Sequence, residues 1–299
     1  MGTSSFAFKI LSNLSSIENQ IVAIFTAPFR KDKKVVVNKK TQIHYFAEEK
    51  KVPLFTPLTL KDDKIKNIIY DIKADVIVVA SYGLIINKSI LSCKKYGCIN
   101  VHPSMLPLFR GASPIHHVIL SGMKESAVCI MKMDEGIDTG PVLMQEKFFV
   151  NKSIFYQELE DYCTNLGANL LKKTLSNIEN ITPQVQKKGK YQYAGKISKF
   201  DGKISWNDFV EVIDRKIRAF HIWPQVYFNY GKDIIKILAA DYKIQEHSYS
   251  LGEVVDTKFG IACKNGILYP KIVQKSGKKS LNISDFLRGY KIKISTILN

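Results

Sequence analysis

The stretch ADVIVVAS (residues 74–81), followed by GCINVHPSMLP (97–107), decides how this chain folds. The first segment is apolar almost without interruption, as expected of a strand whose sheet is covered by helices on both faces. The second is a short strand that ends at Pro103, which has no N–H to give a ladder and releases the chain into a loop. Working outward, NQIVAIFT (19–26) and SAVCIMKMD (126–134) read as further strands. TQIHYFAEEKK (41–51), KDDKIKNIIYDIK (61–73) and SPIHHVILSG (113–122) space their apolar residues at helical intervals. This alternation predicts an α/β domain with a doubly wound, mostly parallel, Rossmann-like sheet, closed by a long amphipathic helix over 153–178.

Residues 180–203 are polar and rich in Lys and Gly, and read as a linker. Beyond them, 206–220 has helical spacing. QVYFNY, DIIKILAADYKI, GEVVDT, GIACK and GILYPKIVQ read as short strands divided by turns, the pattern of a small β-barrel. The expected organisation is a first domain over 1–179, a linker over 180–203 and a C-terminal barrel over 204–299, two domains being natural for 299 residues.

The chain carries 44 Lys and Arg against 27 Asp and Glu, a net charge of +17. Such an excess favours polyanionic partners, nucleic acid or an anionic surface, without choosing between them. No apolar run approaches the roughly 20 residues that span a bilayer, and the first residues lack the pattern of a signal peptide, so a cytoplasmic protein without a membrane partner is expected. Five scattered cysteines without CxxC spacing predict reduced structural thiols and no metal site.

Asn100 and His102 stand two apart at a strand end, so their side chains leave the same face, at the carboxyl edge where open α/β sheets place ligands. An amide and a protonated imidazole supply N–H donors to a carbonyl oxygen that gains negative charge. Asp138, in the Gly-flanked loop Gly136-Ile137-Asp138-Thr139-Gly140, brings a carboxylate that favours the charged imidazole and can relay protons through a water.

Taken singly, each of these residues is as readily part of an ordinary turn. Taken together, NVHPSMLP, Arg110-Gly111 and GIDTGP resemble the joint signature of the folate-dependent formyltransferases. That resemblance implies transfer of a formyl group from 10-formyltetrahydrofolate to an amine, with Asn100, His102 and Asp138 catalytic. It implies that Ser104, Met105, Leu106 and Pro107 contact the folate, and that Tyr82, Gly83, Leu84 and Ile85 line the pterin pocket. Pro103 stands where the family has Gly, and Met105 where it has Leu, changes that leave the catalytic groups in place.

In the second half, YAGKISKFDGKISW (193–206) and RAFHIWPQ (218–225) resemble motifs of the methionyl-tRNA formyltransferases, whose C-terminal domain is similar to the oligonucleotide-binding barrel. This implies initiator methionyl-tRNA as acceptor, a monomer, and tRNA contacts from the loop bearing Arg30, Lys31, Lys33 and Lys34. Phe29 and Lys34 replace the family's usual Asp and Arg. Lys271, Lys275, Lys278, Lys279 and Arg288 would extend a basic face. Alternatives are an amino-sugar formyltransferase, and a catalytically inactive tRNA-binding module. The family also places an apolar strand ahead of the segment that here begins at Met1, so a central strand is expected to be missing.

Overall fold

The computed structural model describes residues 1–14, 21–28 and 40–299. The elements run, in chain order, α1 (Ser5–Leu14), β1 (Ile24–Phe25), α2 (Gln42–Glu49), β2 (Leu54–Phe55), α3 (Asp63–Asp71), β3 (Ile77–Val79), α4 (Lys88–Leu91), β4 (Cys98–His102), α5 (Pro114–Ser121), β5 (Glu125–Lys132), β6 (Val142–Phe149), α6 (Tyr156–Ser176), α7 (Val210–Ala219), β7 (Val226–Tyr230), β8 (Asp233–Ile244), β9 (Ile261–Cys263), β10 (Gly266–Lys275), β11 (Leu281–Asn282) and α8 (Ile283–Gly289). They form two compact units. The first is Met1–Pro114 with Glu125–Phe149 and Glu160–Ala194; the second is Ile115–Lys124 with Val150–Leu159 and Gly195–Asn299.

In the first unit, β1 pairs β2 in parallel and β3 pairs β4 in parallel, while β5 and β6 extend the sheet antiparallel in the order β3-β4-β5-β6. Every residue of β4 is buried, as its apolar sequence requires of a strand flanked on both edges and covered on both faces. Its register sets Asn100 opposite Val79 on one side and Met131 on the other. Residues 180–194, expected as linker, belong to this unit. Gln184 and Val142 exchange backbone hydrogen bonds of 2.8 Å, and Ala194 N–H donates to Arg110 O at 2.7 Å.

The expectation of a missing central strand meets a definite arrangement. Met1 and Gly2 lie between β1 and β3: Gly2 N–H donates to Phe25 O, and Ala80 N–H donates to Met1 O, both at 3.0 Å. The Met1 amino group donates to Val78 O at 2.6 Å, and burial pushes it down to about 6. Beside it opens a cavity of about 510 Å³ whose mostly apolar lining includes Ile10, Val22, Ile69, Val76 and Leu175, with Lys73, Asp75 and Lys94 also on its wall. Ile77 N–H is directed at Gly97 O, so by strand alternation the N–H groups of Val76 and Val78 point the other way, toward this cleft.

The second unit carries an antiparallel sheet in the order β11-β10-β8-β7, with β9 also on β10. Pro270 lies inside β10, where a residue without an N–H is tolerated because the register shifts between Pro270 and Ile272. Helix α7 buries Val210, Ile213 and Ile217 and binds Arg218 to Asp214 at 2.9 Å. Trp206 is buried beside Phe228, whereas Trp223 stands exposed at the corner made by the cis Trp223–Pro224 bond. GEVVDT forms isolated bridges through Glu253 and Val254 instead of a strand. Among the described residues no helix is long and apolar enough to cross a membrane. Cys98, Cys129, Cys163 and Cys263 are buried free thiols, all pushed up by burial.

Candidate active site

The site assembles at the carboxyl end of β4, within the first unit. Strand alternation puts Asn100 and His102 on one face, both buried, and the loop between β5 and β6 brings Asp138 to them. Asn100 Nδ2 approaches Asp138 Oδ1 at 3.4 Å, a long hydrogen bond. His102 Nδ1 lies 3.7 Å from Asp138 Oδ2, beyond hydrogen-bond length, so this contact is electrostatic. Three groups separated by up to 38 residues therefore meet around one point.

The orientation of the imidazole follows from its other partner. His102 Nε2 is 3.0 Å from Phe109 O. A carbonyl only accepts, so Nε2 carries the hydrogen and donates to it, and Nδ1 is the nitrogen that faces Asp138. Ser104 fixes the same loop from beneath: it is fully buried and its Oγ donates to Leu108 O at 2.7 Å.

Asp138 is held at both ends. Its Oδ2 accepts the Gly111 N–H at 2.8 Å, and its backbone stands in the left-handed region at φ 51°. That conformation costs a non-glycine residue roughly 1–2 kcal/mol, least for Asp and Asn, and persists only where neighbours impose it. Asp134 Oδ1 accepts from Gly136 N–H at 3.1 Å and Thr139 Oγ1 at 2.6 Å, folding the loop on itself. At Gly140 an added Cβ would lie 1.9 Å from Lys132 O, and at Gly111, with φ 121°, it would lie 2.5 Å from Ala194 O. Neither position admits a side chain without moving backbone.

Sequence reasoning missed Gln186. It is buried; its Nε2 donates to Asp138 O at 2.9 Å and Gly140 O at 2.7 Å, and its Oε1 accepts from Arg110 Nε and Nη2 at 3.0 and 2.7 Å. Nothing in the polar run around it distinguishes it from its neighbours.

The other expected residues are distributed as follows. Leu106 packs in a small core with Cys129, Met131 and Val142, while Met105 and Pro107 are half-buried on either side of it. Tyr82 and Leu84 pack against the core around Phe25 and Ile90, and Gly83 and Ile85 are exposed. The Tyr82 hydroxyl is pushed up to about 12 by burial and has no partner among the described residues. Arg30, Lys31, Lys33 and Lys34 lie outside the described residues. In the second unit Lys271 pairs with Asp241 and Lys275 with Asp233, both at 2.7 Å, and Arg288 pairs with Asp285, so this basic face is partly neutralised.

Comparison with known proteins places the chain in a family. Residues 1–175 match the formyl transferase family and residues 196–291 its C-terminal domain. A methionyl-tRNA formyltransferase of Rickettsia bellii is 45% identical over 98% of this chain and 97% of that protein. One of Rickettsia peacockii is 46% identical over 100% and 98%. Among solved structures, an N-formyltransferase from Helicobacter canadensis, in complex with folinic acid and dTDP-3-aminofucose, superposes with a TM-score of 0.67 at 22% identity, over 92% of this chain and 97% of that one. A methionyl-tRNA formyltransferase from Clostridium thermocellum superposes with a TM-score of 0.55 at 21% identity, over 75% and 94%. At such identities the structural likeness speaks for the fold alone. The chain belongs to the formyl transferase family, through both of its domains. Within that family it is a member of the methionyl-tRNA formyltransferases, on the strength of full-length identity of 45% and above.

Proposed function

We propose that this chain moves the formyl group of 10-formyltetrahydrofolate onto the α-amino group of methionyl-initiator tRNA. The observation that carries the reading is the meeting of an amide, an imidazole and a carboxylate, Asn100, His102 and Asp138, on one buried strand end of a formyl transferase fold. Family membership accounts for the transfer itself.

In the proposed reaction the amine nitrogen bonds to the formyl carbon and the carbonyl oxygen becomes an oxyanion. The Asn100 amide and His102 Nδ1–H are the donors that stabilise it, their value lying in being fixed before charge develops. Asp138 favours the charged imidazole and passes the proton shed by the amine toward the leaving nitrogen. The tetrahedral intermediate then breaks its bond to N10 of the folate, which takes up that proton, leaving N-formylmethionyl-tRNA and tetrahydrofolate. The loop Ser104–Pro107 and the segment Tyr82–Ile85 are the proposed folate contacts.

The acceptor is the second part of the proposal. A net charge of +17 suits an RNA partner, and the basic loop with Arg30, Lys31, Lys33 and Lys34, together with the C-terminal domain, is the proposed tRNA surface. The enzyme would act as a cytoplasmic monomer. The purified chain, given 10-formyltetrahydrofolate and separately methionyl-initiator tRNA, methionyl-elongator tRNA and a dTDP-amino sugar, is expected to formylate the initiator tRNA. Formylation of the sugar alone would replace the acceptor assignment, and no formylation of any amine would overturn the enzymatic one.

A further inference from the structure

We propose that Gln186, clamped by Arg110, is a positioning residue that sets the backbone of Asp138 for formyl transfer; the inference rests on Asp138 having the catalytic role proposed above. Gln186 uses its whole hydrogen-bonding capacity: two N–H groups to Asp138 O and Gly140 O, two lone pairs to the Arg110 guanidinium. A guanidinium only donates and a carbonyl only accepts, so the amide has one orientation and no rotational freedom. It thereby ties three chain segments, the loop after β4, the β5–β6 loop and the 184–194 strip, at a residue whose backbone stands in the left-handed region.

The division of labour is specific. Gly111 N–H holds the Asp138 carboxylate, whereas Gln186 holds the peptide behind it. Without the Gln186 donors, the buried Gly140 carbonyl and the part-buried Asp138 carbonyl lose this partner and the loop relaxes away from φ 51°. Because Asn100 and His102 reach the carboxylate only at 3.4 and 3.7 Å, a shift of about 1 Å separates the three groups, a misplacement that costs on the order of a hundredfold in rate. Gln186→Glu preserves volume and the Arg110 contact but puts one carboxylate oxygen, in place of Nε2, against two carbonyl oxygens. Gln186→Leu removes every bond. The Arg110 guanidinium donates twice to the Gln186 amide oxygen, so replacing the Arg110 side chain is expected to act through the same amide.

The test is a double-mutant cycle of Arg110→Ala, Gln186→Leu and both together, with Gln186→Glu alongside, assayed on methionyl-initiator tRNA below each variant's melting temperature. The expected result is a kcat lower by about ten- to a hundredfold in Gln186→Leu and Gln186→Glu, with KM for tRNA nearly unchanged. The double variant should lose no more than Gln186→Leu alone, because the two residues form one unit. The inference is overturned by a folded Gln186→Glu or Gln186→Leu with wild-type kcat, by additive losses in the cycle, or by an Arg110→Ala that raises KM alone. If Gln186→Leu does not fold, Arg110→Ala and Gln186→Glu decide by the same kcat-against-KM criterion. A wild-type chain that formylates nothing refutes the reaction instead, so the two failures are distinct.

Discussion

Replacing Asp138 by Asn tests the central assignment most sharply, because the change is nearly isosteric and its consequences can be worked atom by atom. In the wild type both carboxylate oxygens accept: Oδ2 from Gly111 N–H at 2.8 Å, Oδ1 from Asn100 Nδ2 at 3.4 Å, with His102 Nδ1 at 3.7 Å. An Asn side chain must turn its NH₂ toward one of these donors. If it faces Gly111, a strong bond becomes a clash of donors; if it faces Asn100, the amide that should serve the oxyanion is pushed away. In either case the imidazole loses its anionic neighbour and the proton loses its relay. General acid–base catalysis contributes typically about 10²–10⁴-fold, so kcat should fall by that amount. The folding cost is bounded by one charge-assisted hydrogen bond, about 1.5–3 kcal/mol, reduced because the side chain remains 15% exposed. Single-turnover formylation of methionyl-initiator tRNA, with tRNA affinity and thermal melting measured on the same preparation, separates these effects. A folded variant with unchanged affinity and a rate within about threefold of wild type would refute the role given to Asp138, since such a loss is far below what its geometry demands.

Three other perturbations follow from the same structure. Gly140→Ala places a Cβ 1.9 Å from Lys132 O, so the loop must shift; a cost of about 1–3 kcal/mol is expected, read as a drop of several degrees in melting temperature with loss of turnover. An unchanged melting curve would show that the loop has room the geometry denies. His116 packs against Tyr156 and Phe220, and burial pushes it down to about 4. Between that value and its ordinary 6.5 the unfolded chain binds the extra proton, so stability is full above pH 6.5 and declines as pH falls toward 4. The loss is on the order of 3 kcal/mol, and urea unfolding of His116→Gln should show a flatter pH dependence than wild type; parallel curves would exonerate His116. Finally, neutralising Lys33 and Lys34 together should weaken tRNA binding and reduce the slope of log K against log salt by about 1.4 if both meet phosphates. An identical slope would remove that loop from the interface.

How much was legible beforehand depended on whether a residue's role was written locally. Asn100 and His102 could be paired because a strand's period of two fixes their common face; Asp138, whose Gly-flanked loop by itself reads as an ordinary turn, was legible only through the joint resemblance of NVHPSMLP, Arg110-Gly111 and GIDTGP. The strands at 74–81 and 97–102 were legible because burial on both faces leaves an uninterrupted apolar signature. Strand β6 was not, since it is mostly half-exposed and mixes Gln145, Glu146 and Lys147 with apolar residues. Gln186 was illegible for a different reason. Its neighbours Lys187, Lys188 and Gly189 give the segment a linker's composition, while its function comes from two loops 46 and 76 residues away. GEVVDT looked like a strand by its apolar pair, yet only isolated bridges form there, because the chain turns at Gly252 with φ 81° and again at Asp256, whose carboxylate accepts from Lys258 and Gly260 N–H groups.

The same contrast explains how the site is stabilised. Among the described residues no Lys or Arg forms an ion pair with Asp138, whose ionisable neighbour is His102 at 3.7 Å. His102 is oriented by the carbonyl of Phe109, Asp138 by the N–H of Gly111 in front and by the amide of Gln186 behind. The Phe109 carbonyl and the Gly111 N–H belong to the main chain and the Gln186 side-chain amide is uncharged, so these hydrogen bonds fix positions without adding an ionisable partner. The cost of a left-handed Asp is offset by hydrogen bonds of the scaffold. A site built this way should be more sensitive to the glycines and the glutamine that hold its loops than to surface charge around it, which places the vulnerability of catalysis at Gly111, Gly140 and Gln186.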